Sequence, residues 1–145
     1  MAIEISVEER AEMEARIVDW LSDKNHAKVS TKTRSEIFEE FGNMPMPIAY
    51  VPRKYLYLIG ANVSDPRIYC GKGYFIDHAL RNHARDGQRQ KAENVDVSRF
   101  LNIQAVLDNP DSIKETFANG KRTVIFIKKI GRYFAELAQV EENGR

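Results

Sequence analysis

Two histidines and two arginines in residues 77–85 are the side chains of this sequence best suited to chemistry. They are His78, Arg81, His83 and Arg85. A histidine takes up and releases protons near neutral pH, and an arginine holds a phosphate through a planar pair of donors. Metal-independent RNA cleavage needs a base for the 2′-hydroxyl, an acid for the leaving oxygen and a cation beside the charged phosphorane. Because residues three or four apart share a helix face, Arg81 is predicted to lie beside His78 and also beside Arg85.

The spacing of the two histidines argues against a metal site. His78 and His83 are five residues apart, which is about 140° around an α-helix, so they point in different directions. A zinc site on a helix prefers histidines four apart, and the single cysteine, Cys70, excludes a CxxC site. The glycine-rich motifs that bind nucleotide phosphates do not occur either. We therefore predict neither a metal nor any other cofactor.

A second basic cluster near the end of the sequence interleaves cations with an aromatic residue. Its members are Lys121, Arg122, Lys128, Lys129, Arg132 and Tyr133. Such a mixture on a sheet is a platform for single-stranded bases and backbone. We expect Lys128 to hold a phosphate at the catalytic site, and the last three residues, together with Arg85, to bind nucleic acid. The simpler interpretation stays open, because a lysine-rich hairpin is also a soluble turn or a protected edge, and a single helix histidine is often only solvated.

Charge is distributed unevenly along the 145 residues. Residues 1–50 hold six Lys/Arg and ten Asp/Glu, a net charge of −4, whereas residues 51–132 hold fifteen and eight, a net charge of +7. A basic part of this kind favours RNA or another polyanion as the partner. The alternative is a solvated surface whose lysines bind nothing, since charge informs about partners and not about the fold.

The sequence predicts one compact domain in two parts, a helical segment at residues 1–47 and an α+β body at residues 48–145. Ser6 and Glu9 form a capping box that starts a helix over residues 7–21. The apolar stripe predicted for this helix consists of Val7, Ile17, Val18 and Leu21, with Trp20 beside it.

Between this helix and the body, the sequence predicts a loop, a second helix and an extended connector. Residues 22–32 are polar and predict the loop. Thr33 and Glu36 form another capping box, and Gly42 ends the short helix that it starts. The prolines in residues 44–47 forbid a regular helix and favour an extended seam.

Strands and helices both occur in the predicted body. The predicted strands are residues 55–59, 67–70, 123–127 and 133–137, and the predicted helices are residues 74–86 and 98–107. Asn109 and Pro110 predict a turn or a short helix. Residues 128–132 contain Gly131 and predict the turn of a closing hairpin.

The order of these elements resembles the phage and toxin-type nucleases of the barnase–EndoU–colicin E5/D–RelE-like (BECR) family. The likeness covers about residues 55–140 and rests on a helix with His-x4-His, a helix ending in Asn-Pro-Asp at residues 109–111, and a strand ending in Lys128. The resemblance implies helices packed on an antiparallel sheet whose face is a ribonuclease site. It also implies that His78 and His83 match the helix histidines and that Lys128 matches the lysine after the strand.

The sequence departs from this family at both ends. The family usually has one more strand, often with an active-site Ser or Thr, but here Asn143-Gly144 favours a hairpin turn just before the last residue. We expect that the chain is truncated, that the strand comes from elsewhere, or that this copy is inactive. The acidic residues 1–50 lie outside the resemblance and would be a scaffold or a cover over the basic face.

Three functions follow as hypotheses. The first is a metal-independent endoribonuclease, the second a module that binds RNA or another polyanion without chemistry, and the third an interaction protein of a mobile element whose acidic N-terminal helix docks a protein partner. No apolar run approaches the roughly 20 residues that cross a bilayer, and no signal-peptide core is present. With its single cysteine, the sequence therefore predicts a cytoplasmic protein without a membrane partner.

Overall fold

The described part of the chain has an α+β fold, as the sequence predicts. A computed structural model describes residues 3–29, 31–60, 63–82, 102–118, 120–130 and 134–141. The helices are α1 (Val7–Trp20), α2 (Asp23–Val29), α3 (Arg34–Phe41), a 3-10 helix (Arg53–Leu58), α4 (Lys72–Ile76), a π-helix (Asp77–Asn82) and α5 (Ile103–Asp108). The strands are β1 (Pro45–Tyr50), β2 (Arg67–Gly71), β3 (Ser112–Ala118), β4 (Lys121–Ile130) and β5 (Phe134–Glu141). Among these described helices, none combines the length and the apolar character of a membrane span.

The chain forms two compact units, each built from segments that are distant in sequence. The first unit consists of Met1–Arg10, Ala49–Tyr69 and Asn102–Arg145, and the second of Ala11–Ile48 and Cys70–Leu101. The first unit contains eleven Lys/Arg and ten Asp/Glu, and the second contains eleven of each. The charge difference between the two halves of the sequence therefore disappears within the units. The predicted boundary after residue 47 stays a prediction.

Helix α1 is confirmed, but its buried side differs from the predicted stripe. The Ser6 hydroxyl accepts the Glu9 N–H at 3.0 Å, which caps the start of the helix. The buried residues of the helix are Met13, Ile17 and Trp20. Val7 and Val18 were predicted to join them but are 80% and 59% exposed. Because adjacent residues lie about 100° apart around a helix, Val18 turns away from the core that Ile17 enters.

Residues 22–32 contain helix α2 and are not the loop that their polar composition predicts. Asn25 is only 2% exposed, and its side-chain amide donates to the carbonyls of Asp19 at 3.1 Å and Trp20 at 3.0 Å. These carbonyls belong to the last turn of α1, where helical N–H partners run out. Val29, at the end of α2, is also buried. The polar segment is therefore ordered by the end of the preceding helix.

The capping box at the start of α3 is confirmed. The Glu36 N–H donates to the Thr33 hydroxyl at 3.2 Å, and the Thr33 N–H donates to the Glu36 carboxylate at 3.0 Å. The helix ends at Gly42, whose φ of 75° lies in the left-handed region that glycine adopts easily. The predicted extended segment follows as β1, which begins at Pro45 and pairs with β2 in a two-stranded sheet. Proline is tolerated there because it is the first residue of the strand.

Residues 55–59 were predicted as a strand, and that prediction is wrong. The 3-10 helix covers most of them, and the Ile59 N–H donates to the Leu56 carbonyl at 3.0 Å, an i to i+3 bond. Leu56 and Ile59 are 7% and 1% exposed, whereas Tyr57 is 72% exposed. A strand would place positions 56 and 59 on opposite faces. A short run of apolar and aromatic residues does not by itself distinguish these two conformations.

The first unit contains an antiparallel sheet in the order β3-β4-β5. Strand β3 is absent from the sequence prediction, which expects only a turn or a short helix after Asn109. It pairs with β4 from Ser112 opposite Ile127 to Ala118 opposite Lys121. Most residues of this edge strand are exposed, so it has little of the apolar alternation that reveals a strand in a sequence.

The two closing strands are confirmed as an antiparallel pair, but β4 extends further than predicted. Strand β4 continues to Ile130, so Lys128 and Lys129 are strand residues and not turn residues. They pair with Glu136 and Ala135 of β5. The backbone ladder therefore orders part of the basic segment that the sequence assigned to a soluble turn.

Helix α5 packs against β4 and β5 in the first unit. Four of the buried apolar residues there are Val106, Leu107, Val124 and Phe126. The ring of Tyr55 meets that of Phe126 edge-on, with centroids 5.9 Å apart, a favourable aromatic geometry.

A buried glutamine joins α5 to the last residue of β1. Gln104 is 7% exposed; its Oε1 accepts the Tyr50 N–H at 2.9 Å, and its Nε2 donates to the Tyr50 carbonyl at 3.0 Å. The amide thus bonds both backbone groups of one residue, as a neighbouring antiparallel strand does. Nε2 also donates to Asp108 at 2.9 Å, and Asp108 pairs with Arg10 at 2.8 Å. Arg10 in turn donates to the Tyr50 hydroxyl at 3.2 Å, which closes the network.

A second network joins the start of α1 to β2 in the same unit. The Arg67 guanidinium donates to both oxygens of Glu9, at 2.5 and 2.8 Å, and to Asp65 at 3.0 Å. The Tyr69 hydroxyl donates to the other oxygen of Asp65. The hydrogen bonds to Glu9 raise the pKa of Arg67. Burial favours a higher pKa for Asp65, but the hydrogen bonds from Tyr69 and Arg67 outweigh it and lower that pKa.

Replacing Gln104 tests the amide pairing. We expect Gln104→Ala to lower the free energy of unfolding by about 1–3 kcal/mol, because the Tyr50 N–H and carbonyl lose their partner. Glu39→Ala, at an exposed helical position, is the control and should change it by less than about 0.5 kcal/mol. Denaturant unfolding followed by circular dichroism measures both.

The charged replacement Gln104→Glu adds a pH test of the same contact. Its carboxylate would face the Tyr50 carbonyl and the Asp108 carboxylate, which raises the pKa of the new group in the folded state. The protonated form is then favoured by folding, so the stability lost relative to wild type should shrink as the pH falls from about 7 to about 5. Wild-type stability in both variants at neutral pH would contradict a supporting role for Gln104.

Candidate nucleic-acid interface

His78 and Arg81 lie on the π-helix Asp77–Asn82, which directly follows α4. A π-helix has i to i+5 hydrogen bonds and winds more widely than an α-helix. The predicted placement of Arg81 beside His78 assumed α-helical spacing, which this segment does not have, and it stays a prediction. His83, and with it the predicted separation of the two histidines, lies outside the described residues. Single π-helical turns occur frequently at functional sites, which makes this segment a candidate functional site.

The rings of Tyr74 and His78 are stacked on each other. Their centroids are 5.8 Å apart and their planes differ by 4°. At this separation parallel rings are offset, which is an arrangement that aromatic pairs favour. Tyr74 is 43% exposed and His78 is half-buried. The pair therefore presents flat, partly exposed rings of the kind on which nucleobases stack.

Arg34, on α3, lies against the Tyr74 ring of this pair. Its guanidinium carbon is 5.6 Å from the centroid of the Tyr74 ring and 5.4 Å from that of Phe38, both within cation–π distance. Its Nε is 3.5 Å from a carboxylate oxygen of Asp77. The Arg34 side chain is 60% exposed, whereas that of Asp77 is 7% exposed. We call these residues the Tyr74 cluster: Arg34, Phe38, Tyr74, Asp77 and His78.

The close approach of α3 and α4 positions the Tyr74 cluster. The Gly73 N–H donates to the Gly42 carbonyl at 2.7 Å, and the Tyr74 N–H donates to Asn43 Oδ1 at 2.9 Å. A Cβ on Gly73 would lie 2.6 Å from the Gly42 oxygen and 2.9 Å from a ring carbon of Phe38. Glycine at position 73 is therefore required for the backbones to come this close.

Lys128 and Lys129 make structural hydrogen bonds in the first unit. The Lys128 ammonium donates at 2.9 Å to the carbonyl of Asn109, the C-cap residue that directly follows α5. A cation at this position compensates the carbonyls of a helix end. The Lys129 backbone N–H donates to the Asp111 carboxylate at 2.8 Å. Helix capping accounts for Lys128 without a ligand, and its predicted phosphate-binding role stays a prediction.

The predicted site residues fall in different parts of the chain. His78 and Arg81 belong to the second unit, and Lys128 and Lys129 to the first. The remaining predicted residues lie outside the described ranges: His83, Arg85, Arg132 and Tyr133. The meeting of His78, Arg81 and Lys128 at one catalytic site therefore stays a prediction.

The other members of the Tyr74 cluster were not predicted from the sequence as site residues. Tyr74 stands four residues before His78, so i to i+4 spacing is a signal that could have linked them. No local pattern connects Arg34 to either residue. Its place beside Tyr74 results from the packing of α3 against α4, which is a tertiary contact.

The described part of the chain shows neither a metal-binding cluster nor an activated thiol. No group of three His, Cys, Asp or Glu side chains in it could hold a metal ion. Cys70 is half-buried, and its burial raises the pKa of the thiol to about 11. The thiol is therefore protonated at neutral pH, whereas nucleophilic chemistry needs the thiolate.

Replacing Gly73 tests the contact that positions the Tyr74 cluster. We expect Gly73→Ala to lower the free energy of unfolding by about 1–3 kcal/mol, because the added methyl meets backbone that cannot move aside cheaply. Gly60→Ala is the matched control, since among the described residues its Cβ would meet a side-chain methyl group of Val63, at 3.1 Å, and no backbone atom within 4 Å. Thermal and denaturant unfolding compare the two. A Gly73 variant as stable as the Gly60 variant would contradict the close approach.

No family model, no curated protein and no solved structure compared with this chain matches it. The resemblance to the BECR nucleases accordingly stays a prediction from the motifs.

Proposed function

We propose that the Tyr74 cluster binds single-stranded RNA, with bases stacking on the Tyr74 and His78 rings. The observation that carries this proposal is the parallel pair of partly exposed rings, 5.8 Å apart, next to the exposed guanidinium of Arg34. Proteins that bind single strands without sequence preference combine aromatic rings with cations, and each stacked base contributes about 1–3 kcal/mol. The chemistry therefore favours an unpaired strand, whose bases are free to stack.

The charges around the cluster indicate that stacking contributes more to this binding than long-range attraction. The second unit has as many acidic as basic residues. On α3, Glu40 pairs with Lys28 and Lys32, each at 3.2 Å, and these contacts lower the pKa of Glu40. A nearly neutral surface releases few counterions, so we expect a shallow dependence of affinity on salt.

Binding of a labelled single-stranded oligoribonucleotide tests the proposal. We expect Tyr74→Ala to weaken binding about tenfold, since a stacking surface is removed, and Tyr74→Phe to keep most of the affinity. Tyr57→Ala is the matched control, because Tyr57 is a tyrosine of the first unit that is 72% exposed. Fluorescence anisotropy measures the dissociation constants. Absence of wild-type binding, or equal losses in the Tyr74→Ala and Tyr57→Ala variants, would count against RNA binding at this cluster.

A second candidate function is metal-independent cleavage of the bound RNA. It is favoured by one specific observation: the imidazole of His78 is half-buried on a π-helical turn and oriented by its stack on Tyr74. In this scheme His78 takes the proton of the 2′-hydroxyl as the 2′-oxygen bonds to the phosphorus, and it gives the proton to the 5′-oxygen as the bond between phosphorus and that oxygen breaks, while Arg81 and Lys128 hold the phosphate. The BECR resemblance assigns a helix-histidine role to His83 as well. This candidate function needs Lys128 of the first unit as well as His78 and Arg81 of the second, whereas the proposed RNA binding needs residues of the second unit alone.

Incubation of RNA with the purified protein in EDTA tests cleavage. Wild type is expected to produce fragments, and His78→Ala should slow their appearance by about 10²-fold or more, which is the size of a general acid–base contribution. A DNA oligonucleotide of the same sequence lacks the 2′-hydroxyl and should stay intact. Intact RNA with wild type, or equal cleavage by the variant, would rule out this chemistry and leave RNA binding unaffected.

A further inference from the structure

The guanidinium of Arg34 contacts a carboxylate and two aromatic rings, and it has further N–H donors that could bind a ligand. One edge faces Asp77, through Nε at 3.5 Å, and the rings of Phe38 and Tyr74 lie 5.4 and 5.6 Å from its central carbon. With the residues that the structure describes, Nη1 and Nη2 make no hydrogen bond, and the side chain is 60% exposed. In a planar guanidinium the pair of N–H groups on the Nη1–Nη2 edge points in a different direction from Nε–H, so this edge is not the one that faces Asp77.

An arginine held in this way suits a phosphate. The planar guanidinium matches two oxygens of a phosphate with two parallel hydrogen bonds, a geometry that lysine cannot reproduce. Because ring contacts and a carboxylate already orient Arg34, less side-chain entropy is lost when a ligand binds. The ligand class follows from the neighbouring rings: a base stacked on Tyr74 brings a phosphodiester with it along the same surface.

We infer that Arg34 binds a backbone phosphate of the RNA strand and that Asp77 is the positioning residue for Arg34. This inference rests on the proposed RNA binding at the Tyr74 cluster and adds a residue and a chemical contact to it. The buried Asp77 carboxylate holds Nε, so that the Nη1–Nη2 edge faces the ligand. The rings recognise the base, and the guanidinium recognises the phosphate that follows it.

The test uses the same labelled oligoribonucleotide over a series of salt concentrations. Arg34→Gln is expected to weaken binding about tenfold and to make the slope of log K against log salt shallower by about 0.7, the value for one phosphate contact on a single strand. Arg34→Lys keeps the charge and should retain the slope while it loses several-fold in affinity, because the paired hydrogen bonds are lost. Arg53→Gln, which removes an arginine 68% exposed in the first unit, is the matched control and should change neither quantity.

Asp77→Asn separates positioning from simple repulsion. If Asp77 orients Arg34, this variant binds RNA several-fold more weakly although it has lost a negative charge. If the carboxylate only repels phosphate, the variant binds more tightly, which would overturn the positioning role. Thermal unfolding checks that Asp77→Asn is folded, and the exposed Arg34 variants decide the phosphate contact independently of it.

The outcomes distinguish this inference from the proposal on which it rests. Weaker binding by Tyr74→Ala, together with unchanged affinity and slope in Arg34→Gln, overturns the phosphate contact and leaves RNA binding intact. Absence of binding by wild type overturns both. Losses in affinity and slope confined to Arg34→Gln, with the Arg53→Gln control unchanged, support the assignment.

Discussion

The amide of Gln104 satisfies both backbone groups of Tyr50, and much of the first unit is arranged around this contact. Buried polar groups need partners, so α5 must lie where its glutamine reaches the end of β1. The same helix packs against β4 and β5 and ends at Asn109, where Lys128 caps it. In the sequence, Lys128 resembles a ligand-binding cation. Its position follows from the packing of α5 against the sheet, because its ammonium bonds the carbonyl at the end of that helix.

A comparable constraint acts in the second unit, where backbone contacts replace side-chain amides. Gly73 allows α4 to reach the end of α3, and Asn43 then binds the N–H of Tyr74. This approach brings Arg34 onto the Tyr74 ring. The aromatic pair, the guanidinium and the buried Asp77 thus form one cluster because two short helices meet at glycine.

The two units are nearly neutral, which changes the reason for expecting a nucleic-acid partner. Charge summed over halves of the sequence suggested attraction by a basic body, but each unit combines acidic and basic segments. The proposed RNA binding therefore rests on local chemistry, namely flat rings on which bases could stack and a guanidinium that could hold a phosphate. On this proposal, specificity would depend on the geometry of short-range contacts more than on the electrostatic field of the whole protein.

The features that were predictable from the sequence are those whose partners are near in the chain. Thr33 and Glu36 are three residues apart and bond to each other whatever surrounds them, and Gly42 ends the helix by its own backbone freedom. The closing strands were predictable from their apolar residues, although β4 extends beyond them. Helix α2 and edge strand β3 also have partners nearby, but these are backbone groups at the end of α1 and along β4, which the residue types of the two segments do not specify. The 3-10 helix packs on a distant residue, Phe126. The pairing of Arg34 with Tyr74 has the same origin, because no spacing along a chain specifies which two helices will touch.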